Sequence, residues 1–470
     1  FICFIHKLSA SASLHNPIAG PKMSSSQQWM TGRQLPALPS KSKSLLPNCG
    51  LADASCMEQL LVHCATAIEQ NDATLSQQIF WVLNNIATPD GDSNQRMTCA
   101  FLRALIVRAA RSGASSKLIT AIATAAHANI LFVDTHRFTA IEFAGFVDVT
   151  PWYRFGFTAA NAAVLDAIEG FSTVHIVDLS LTHCMQLPTL LDAISNRLEF
   201  RPMVKISVVG SPEGLPPLLD LSYDELGSKL ISFGRTRNLV VEFRVIQSSY
   251  NDGFSSLIDH LRVQHLVYGS GNQFGEALVV NCQMFLHYIP EETLGNTESY
   301  HLPYDSSSNI LFSSSTPSFR SMFLKSVRSM EPTIVILVDE DADLTSTNLV
   351  CRLRSAFNFL WIPYDTIDTF LPKGRKERDW YEADIYWKIE NLIAQEGLER
   401  VERLEPRSRW VQRMRNANFR SVPFREDAVS EVRNMLDEHA TGWGMKKEED
   451  DLVLTWKGHN AVFASAWKPS

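Results

Sequence analysis

Apolar residues between positions 57 and 109 recur at three- and four-residue steps. Met57, Leu60, Leu61, Cys64 and Ile68 share one helical face. Leu75, Ile79, Val82, Leu83 and Ile86 form a second stripe, and Met97, Phe101, Leu102, Leu105, Ile106 and Ala109 a third. Asn71-Asp72 ends the first helix and caps the next, Pro89-Asp90-Gly91 stops the second, and Gly113 stops the third. Helices with one apolar stripe bury it against one another, so a bundle or cap is predicted, with core packing as the role of each stripe. At Thr173 the texture changes. Val174-His175-Ile176-Val177-Asp178-Leu179 is a short apolar run, and similar runs follow at 203–209, 239–246, 277–280 and 333–338. Such runs suit parallel strands buried on both faces. Helix-like segments at 187–196 and 218–233 lie between them, which predicts an α/β fold with an open, doubly wound (Rossmann-type) sheet. Leu452–Trp456 and Ala461–Trp467 flank Lys457-Gly458-His459-Asn460 and predict a terminal antiparallel hairpin on the sheet's edge.

Residues 1 to 54 carry no such period. They are rich in Ser and Pro and are expected to form a disordered, mildly basic tail, with 55–470 as the folded unit. Within that unit the cap is expected mainly at 55–170 and the α/β core mainly at 171–470. The chain begins at Phe1, and residues 1–22 read as a leader before a start at Met23. Apolar residues make up 45% and charged residues 20%, which excludes a mainly disordered or fibrous protein. The net charge of −8 disfavours nucleic-acid binding by global charge and leaves only local basic patches. Eight cysteines without a CxxC pair point to a reducing compartment, cytosol or nucleus. No apolar stretch approaches the roughly 18–20 residues of a membrane span.

A doubly wound sheet binds ligands outside the carboxyl ends of its strands. Asp178 stands at such an end, but the loop that follows, Leu179 to Pro188, contains no glycine. A backbone that must approach an adenosyl or phosphate group needs glycine there. No cofactor is therefore expected, and Asp178 is expected to cap nearby backbone N–H groups. His183-Cys184 has no acid partner by spacing, His175 reads as a core histidine, and no zinc spacing or hydrolase motif occurs. Leu215-Pro216-Pro217-Leu218-Leu219 matches LxxLL, but its prolines forbid a normal helix. Lys373–Arg378 is a basic run that reads as a nuclear localisation signal or a solvated loop. Arg96, Arg103, Arg108 and Arg111 are expected beside the third stripe as an exposed interaction surface. Farther on, Trp410 and Met414 pack one helix face while Arg409 and Arg413 line another, suited to an acidic protein or to phosphates. A parallel sheet closed by a hairpin is also the layout of class I methyltransferases, a likeness of fold and not of function.

The blocks of the chain, in order, resemble the GRAS family of plant transcriptional regulators. Val174-His175-Ile176-Val177-Asp178 resembles its VHIID block. Tyr364-Asp365-Thr366-Ile367-Asp368 resembles part of PFYRE, and Arg400-Val401-Glu402-Arg403 resembles RVER. Trp443-Gly444, Trp456 and Ser465-Ala466-Trp467 resemble the SAW block, and Trp410 lies between. Cys184-Met185-Gln186 is similar to the short-root branch, with Leu187 where most members carry Trp. The resemblance implies a nuclear, non-enzymatic regulator with a methyltransferase-like core and a helical cap. It implies dimerisation with other GRAS proteins through the cap and work with zinc-finger transcription factors, with direct DNA contact left open. The rival readings are a sequence-specific DNA binder and a methyltransferase.

Overall fold

The three stripes fold as helices. The computed structural model describes residues 54–111, 136–197, 201–210, 214–268, 275–291, 318–439 and 441–470. The tail 1–53 and Gly113 lie outside the described residues. Helices α1 (Ala54–Glu69), α2 (Ala73–Ile86) and α3 (Ser93–Arg111) come first. Asp72 caps α2 as expected, its side chain accepting from the Leu75 N–H at 2.9 Å. Met97, Phe101, Leu102, Leu105, Ile106 and Ala109 are all buried on α3.

Strand β1 (Arg137–Phe138) and helices α4 (Ala140–Val149) and α5 (Pro151–Ile168) lead into the sheet. Strands and helices then alternate: β2 (Thr173–Ser180), α6 (Leu187–Arg197), β3 (Met203–Gly210), β4 (Leu218–Leu219), α7 (Tyr223–Thr236), β5 (Val241–Gln247), α8 (Ser255–Tyr268) and β6 (Glu276–Gln283). After them come α9 (Phe319–Arg328), β7 (Ile334–Glu340), α10 (Leu349–Phe370), α11 (Lys376–Ala394), α12 (Arg407–Asn416), β8 (Phe419–Val422), α13 (Glu426–Asp437), β9 (Trp443–Glu448), β10 (Asp451–Trp456) and β11 (His459–Pro469).

The large sheet runs β5-β3-β2-β6-β7-β11-β10-β9, with β8 also paired to β11. The first five strands are parallel and β11 is antiparallel to β7. Alternate residues of β2 enter two different cores. Val174 and Ile176 pack with α5, α6 and α7, while Val177 and Leu179 pack with α8, α9 and α12. Helices therefore cover both faces. Helix α5 lies so close to the sheet that a Cβ on Gly156 would stand 2.7 Å from Val338 Cγ1.

The expected helix at 218–233 is corrected. Leu218–Leu219 pairs with Arg137–Phe138 as a two-stranded parallel ribbon, and the helix starts only at Tyr223. The reason is local: Ser222 and Glu225 form a reciprocal capping box that fixes the start there. The hairpin is also corrected in position. Its turn is Lys457-Gly458, both left-handed, as a two-residue hairpin requires. Strand β11 lies inside the sheet between β7 and β10, and β9 forms the edge.

Helices α10 and α11 pack against α1 and α3. Among the described residues the helical layer thus joins an early and a late segment of the chain.

Candidate functional site

The motif residues are mostly buried, and they act as joints. Val174, Ile176 and Val177 are core, and His175 Nε2 lies 2.8 Å from Ser207 Oγ. Burial, with Lys205, Arg244 and His260 adding and Glu276 opposing, pulls the His175 imidazole down to about 4. The folded value lies below the unfolded one of about 6.5. The unfolded chain therefore takes up the proton first, and stability falls as pH drops from about 6.5 toward 4. The expected loss is about 3 kcal/mol. Urea titrations of the natural chain and His175→Gln between those pH values check it. Parallel pH dependences of the two would refute the assignment.

Asp178 does not cap backbone, which corrects the expectation. Its carboxylate accepts from Ser180 Oγ at 2.6 Å and from Asn281 Nδ2 at 2.6 Å. Asn281 Nδ2 also donates to Gln186 Oε1 at 2.8 Å, and Gln186 Nε2 donates to Asn161 Oδ1 at 2.9 Å. This buried amide chain ties β2 and β6 to α5. Burial pushes the Asp178 carboxyl up, while bonds from Ser180 and Asn281 oppose it. The loop that follows folds inward: Thr182, Cys184, Met185, Gln186 and Leu187 are all buried. His183 Nε2 lies 3.1 Å from the Pro217 carbonyl, and burial raises the Cys184 thiol far above its usual range.

Tyr364 is buried on α10. Asp365 on the same helix accepts from Trp456 Nε1 at 2.7 Å and from Lys457 Nζ at 2.6 Å, so the PFYRE-like segment is tied to the hairpin. Asp368 takes Arg96 at 2.8 Å and also Arg378, and Glu382 takes Arg96 at 2.9 Å. Arg96 is therefore not on an exposed surface, which corrects the expectation. It is only 6% exposed, because two carboxylates from α10 and α11 draw it inward. Arg103 stacks on Tyr386, and Arg108 pairs with Glu396 at 2.9 Å. Arg111, at the end of α3, is the most open of the four and reaches Glu399 at 3.3 Å. The basic run is likewise partly internal: Arg378 is buried, and Lys373 donates to the Asp90 carbonyl at 3.1 Å.

In the RVER-like segment, Asn391 Oδ1 accepts from the N–H groups of Val401 and Glu402, both at 2.9 Å. Arg400 donates to the Leu344 and Ser346 carbonyls, and Arg403 to the Gly397 carbonyl at 2.6 Å. Trp410 and Met414 are buried as expected. Arg413 is held by Glu405 at 2.6 Å and Glu291 at 2.6 Å, and Arg409 by Asp343 at 2.9 Å. Arg407 and Arg415 pair with Glu448 and Glu449. The arginine face of α12 is thus met by carboxylates of the same chain. Trp443 on β9 packs at a tilt of 56° against Trp456 of the hairpin, their ring centroids 5.0 Å apart, and Trp467 Nε1 donates to Ser465 Oγ at 2.8 Å. Ala466 is buried between neighbouring strands.

One polar group was missed from the sequence. His287, Asp339, Glu340, Asp384 and Lys388 gather around Glu402. Their signals were legible: acids at the carboxyl end of a strand, Asp339-Glu340, and an acid–lysine pair one helical turn apart, Asp384 and Lys388.

An α/β sheet with a helical layer joined by these blocks defines a class. The model of the GRAS domain family matches residues 57–468, and the chain belongs to that family. It is 56% identical over 434 residues to Scarecrow-like protein 32 of Arabidopsis thaliana, covering 92% of this chain and 98% of that one. Protein SHORT-ROOT of the same plant is 28% identical, over 89% of this chain and 74% of its own length. A crystal structure of SCL7 from Oryza sativa superposes with a TM-score of 0.63 at 19% identity, covering 88% of this chain and 99% of that one. Plant developmental and transcriptional regulation is the family's field, and one relative from Arabidopsis thaliana is named Scarecrow-like transcription factor PAT1. No helix among the described residues is long and apolar enough to cross a membrane.

Proposed function

We propose that the chain is a nuclear regulator of plant gene transcription that works by binding other proteins through its helical cap, formed by α1–α3 with α10 and α11. The observation that carries this reading is Trp81, 71% exposed on the outer face of α2, with Leu75 of the same helix 41% exposed. Tryptophan is enriched at protein–protein interfaces relative to the rest of the surface. The partners proposed are a second GRAS chain, identical or not, and zinc-finger transcription factors. The sheet, five parallel strands followed by antiparallel ones, supports a methyltransferase-like core. The filled loop after β2 supports a role without catalysis. Direct DNA reading through α12 is disfavoured by the carboxylates that meet Arg407, Arg409, Arg413 and Arg415.

Light scattering of the full chain tests the reading. The expected mass is about twice the 52.8 kDa of one chain, alone or with a second GRAS protein added, and Trp81→Asp returns it to one chain. A natural chain that stays single and captures no GRAS or zinc-finger partner sinks it.

A further inference from the structure

The large sheet ends at β5, which pairs with β3 on one side only. Val204 N–H donates to the Val240 carbonyl at 2.9 Å, and Ser248 N–H donates to the Gly210 carbonyl at 3.3 Å. Even-numbered residues of β5 therefore turn their backbone groups toward β3. Val241, Phe243 and Val245, which alternate with them, turn theirs outward. Among the described residues no strand pairs with that side. A row of outward N–H and C=O groups is a template for another strand.

The side chains of this edge differ from those of the other one. Strand β9 carries Lys446 and Lys447 in tandem, both exposed, a common device against strand addition. Strand β5 instead carries one charge of each sign, Glu242 and Arg244, both exposed. They share the α8 face, where Arg244 Nη1 lies 3.2 Å from His260 Nε2. Val241, Phe243 and Val245 share the α7 face and pack on the first core. Val240, just before the strand, is 65% exposed.

These residues suit a second copy of the same strand. Two antiparallel copies related by a two-fold axis perpendicular to the sheet keep each face on its own side, so the axis sets one residue of β5 opposite itself. At Glu242 or Arg244 it would bring like charges together, which is destabilising. At Phe243 it sets Glu242 opposite Arg244 of the second copy, once on each side of the axis. It also sets Val241 opposite Val245 and the exposed Val240 opposite Ile246. In that register Val241, Phe243 and Val245 exchange both backbone bonds with the second copy. Glu242 and Arg244 then meet at the positions between, where facing side chains stand closer.

We propose that the free edge of β5 pairs antiparallel with β5 of a second copy about a two-fold axis at Phe243, joining two sheets into one. The ladder is short, so the contact is weak, with a Kd of about 100 µM, and it opens on dilution. It is independent of the Trp81 surface. A chain can hold one partner at its cap and a second copy at its edge, which links cap-bound pairs into larger assemblies where the protein is concentrated.

Sedimentation equilibrium tests this on the full chain carrying Trp81→Asp, over about 10 to 500 µM, a range that brackets the expected Kd. The mass should rise from near one chain toward two. Arg244→Glu, or Glu242→Arg, sets like charges opposite each other on both sides of the axis and should weaken pairing at least about tenfold. Both are exposed positions, so the fold should stand. An equimolar mixture of the two variants sets opposite charges together again and should restore pairing, as should the double change in one chain. This exchange of charges reads out whether or not Trp81 governs the cap. Hydrogen exchange at the amides of Val241, Phe243 and Val245 should slow as concentration rises. The proposal is overturned by a chain that stays single at the top of the range, by single variants that pair as before, or by a mixture that stays apart. Amides equally slow at both ends of the range overturn it as well, since the same chain would then cover its own edge.

Discussion

Replacing Trp467 by alanine is expected to destabilise the chain by about 3–5 kcal/mol, a large share of a typical total of about 5–15 kcal/mol. The indole is almost wholly buried in the second core, which also holds Trp410, Met414, Val453 and Phe463. Its strand is interior. Trp467 pairs with Val335 on one side and with Ser421 on the other, so neighbouring strands limit how far the backbone can relax into the void. Its Nε1 donates to Ser465 Oγ, which in turn donates to the Leu337 carbonyl at 3.2 Å. Truncation therefore removes packing and one buried hydrogen bond at once. Thermal melts should show a midpoint lower by about 5 °C, since the shift per kcal/mol shrinks as the folded unit grows. An unchanged midpoint would mean that β11 does not pack as described.

The hairpin also shows what the sequence could and could not disclose. Alternation of apolar runs with Lys457-Gly458 between them was enough to place two antiparallel strands. It could not say which strand faces the parallel sheet, because a hairpin reads the same whichever arm is inside. The same holds for the cap. Stripes on α1 to α3 predicted a bundle, yet their partners α10 and α11 lie about 250 residues later, a separation that no local period encodes. Arginines fared worst. Arg96 and Arg413 have the sequence signature of exposed helix positions, but carboxylates turn them inward: the distant Asp368 and Glu382 for one, and for the other Glu405, eight residues before it, with the distant Glu291. Asp178 was singled out as a strand-end acid, but as a cap of backbone N–H groups rather than as the buried partner of side chains. Its partners Ser180 and Asn281 were not foreseen, because one lies across the sheet on β6.

Arg320 drew no notice in the sequence and is expected to be the costliest polar residue to replace. It is buried on α9 and holds together three segments. Its Nε donates to the Ile289 carbonyl at 2.8 Å, and one terminal nitrogen donates to the His287 carbonyl at 2.5 Å and to the Arg403 carbonyl at 3.0 Å. The other terminal nitrogen lies 3.2 Å from Glu405, and the guanidinium sits over the Trp410 ring at 5.6 Å. Burial pulls the guanidinium pKa down and Glu405 opposes it. Arg320→Met keeps most of the volume but leaves three buried carbonyls without this donor, each worth about 1–3 kcal/mol. It also removes one of the cations beside Glu405. Arg413 still holds that carboxylate through two bonds, so the ion-pair loss is the smaller part. A total of about 4 kcal/mol or more is expected in urea denaturation. Arg320→Lys should recover little of it, because one ammonium cannot reproduce the planar fork that spans the three carbonyls. Adding Glu405→Gln to Arg320→Met should cost less than the sum of the two single changes, since the pair no longer exists to be broken twice. Stabilities of Arg320→Met and Arg320→Lys both within about 0.5 kcal/mol of the natural chain would show that this junction is held by other contacts.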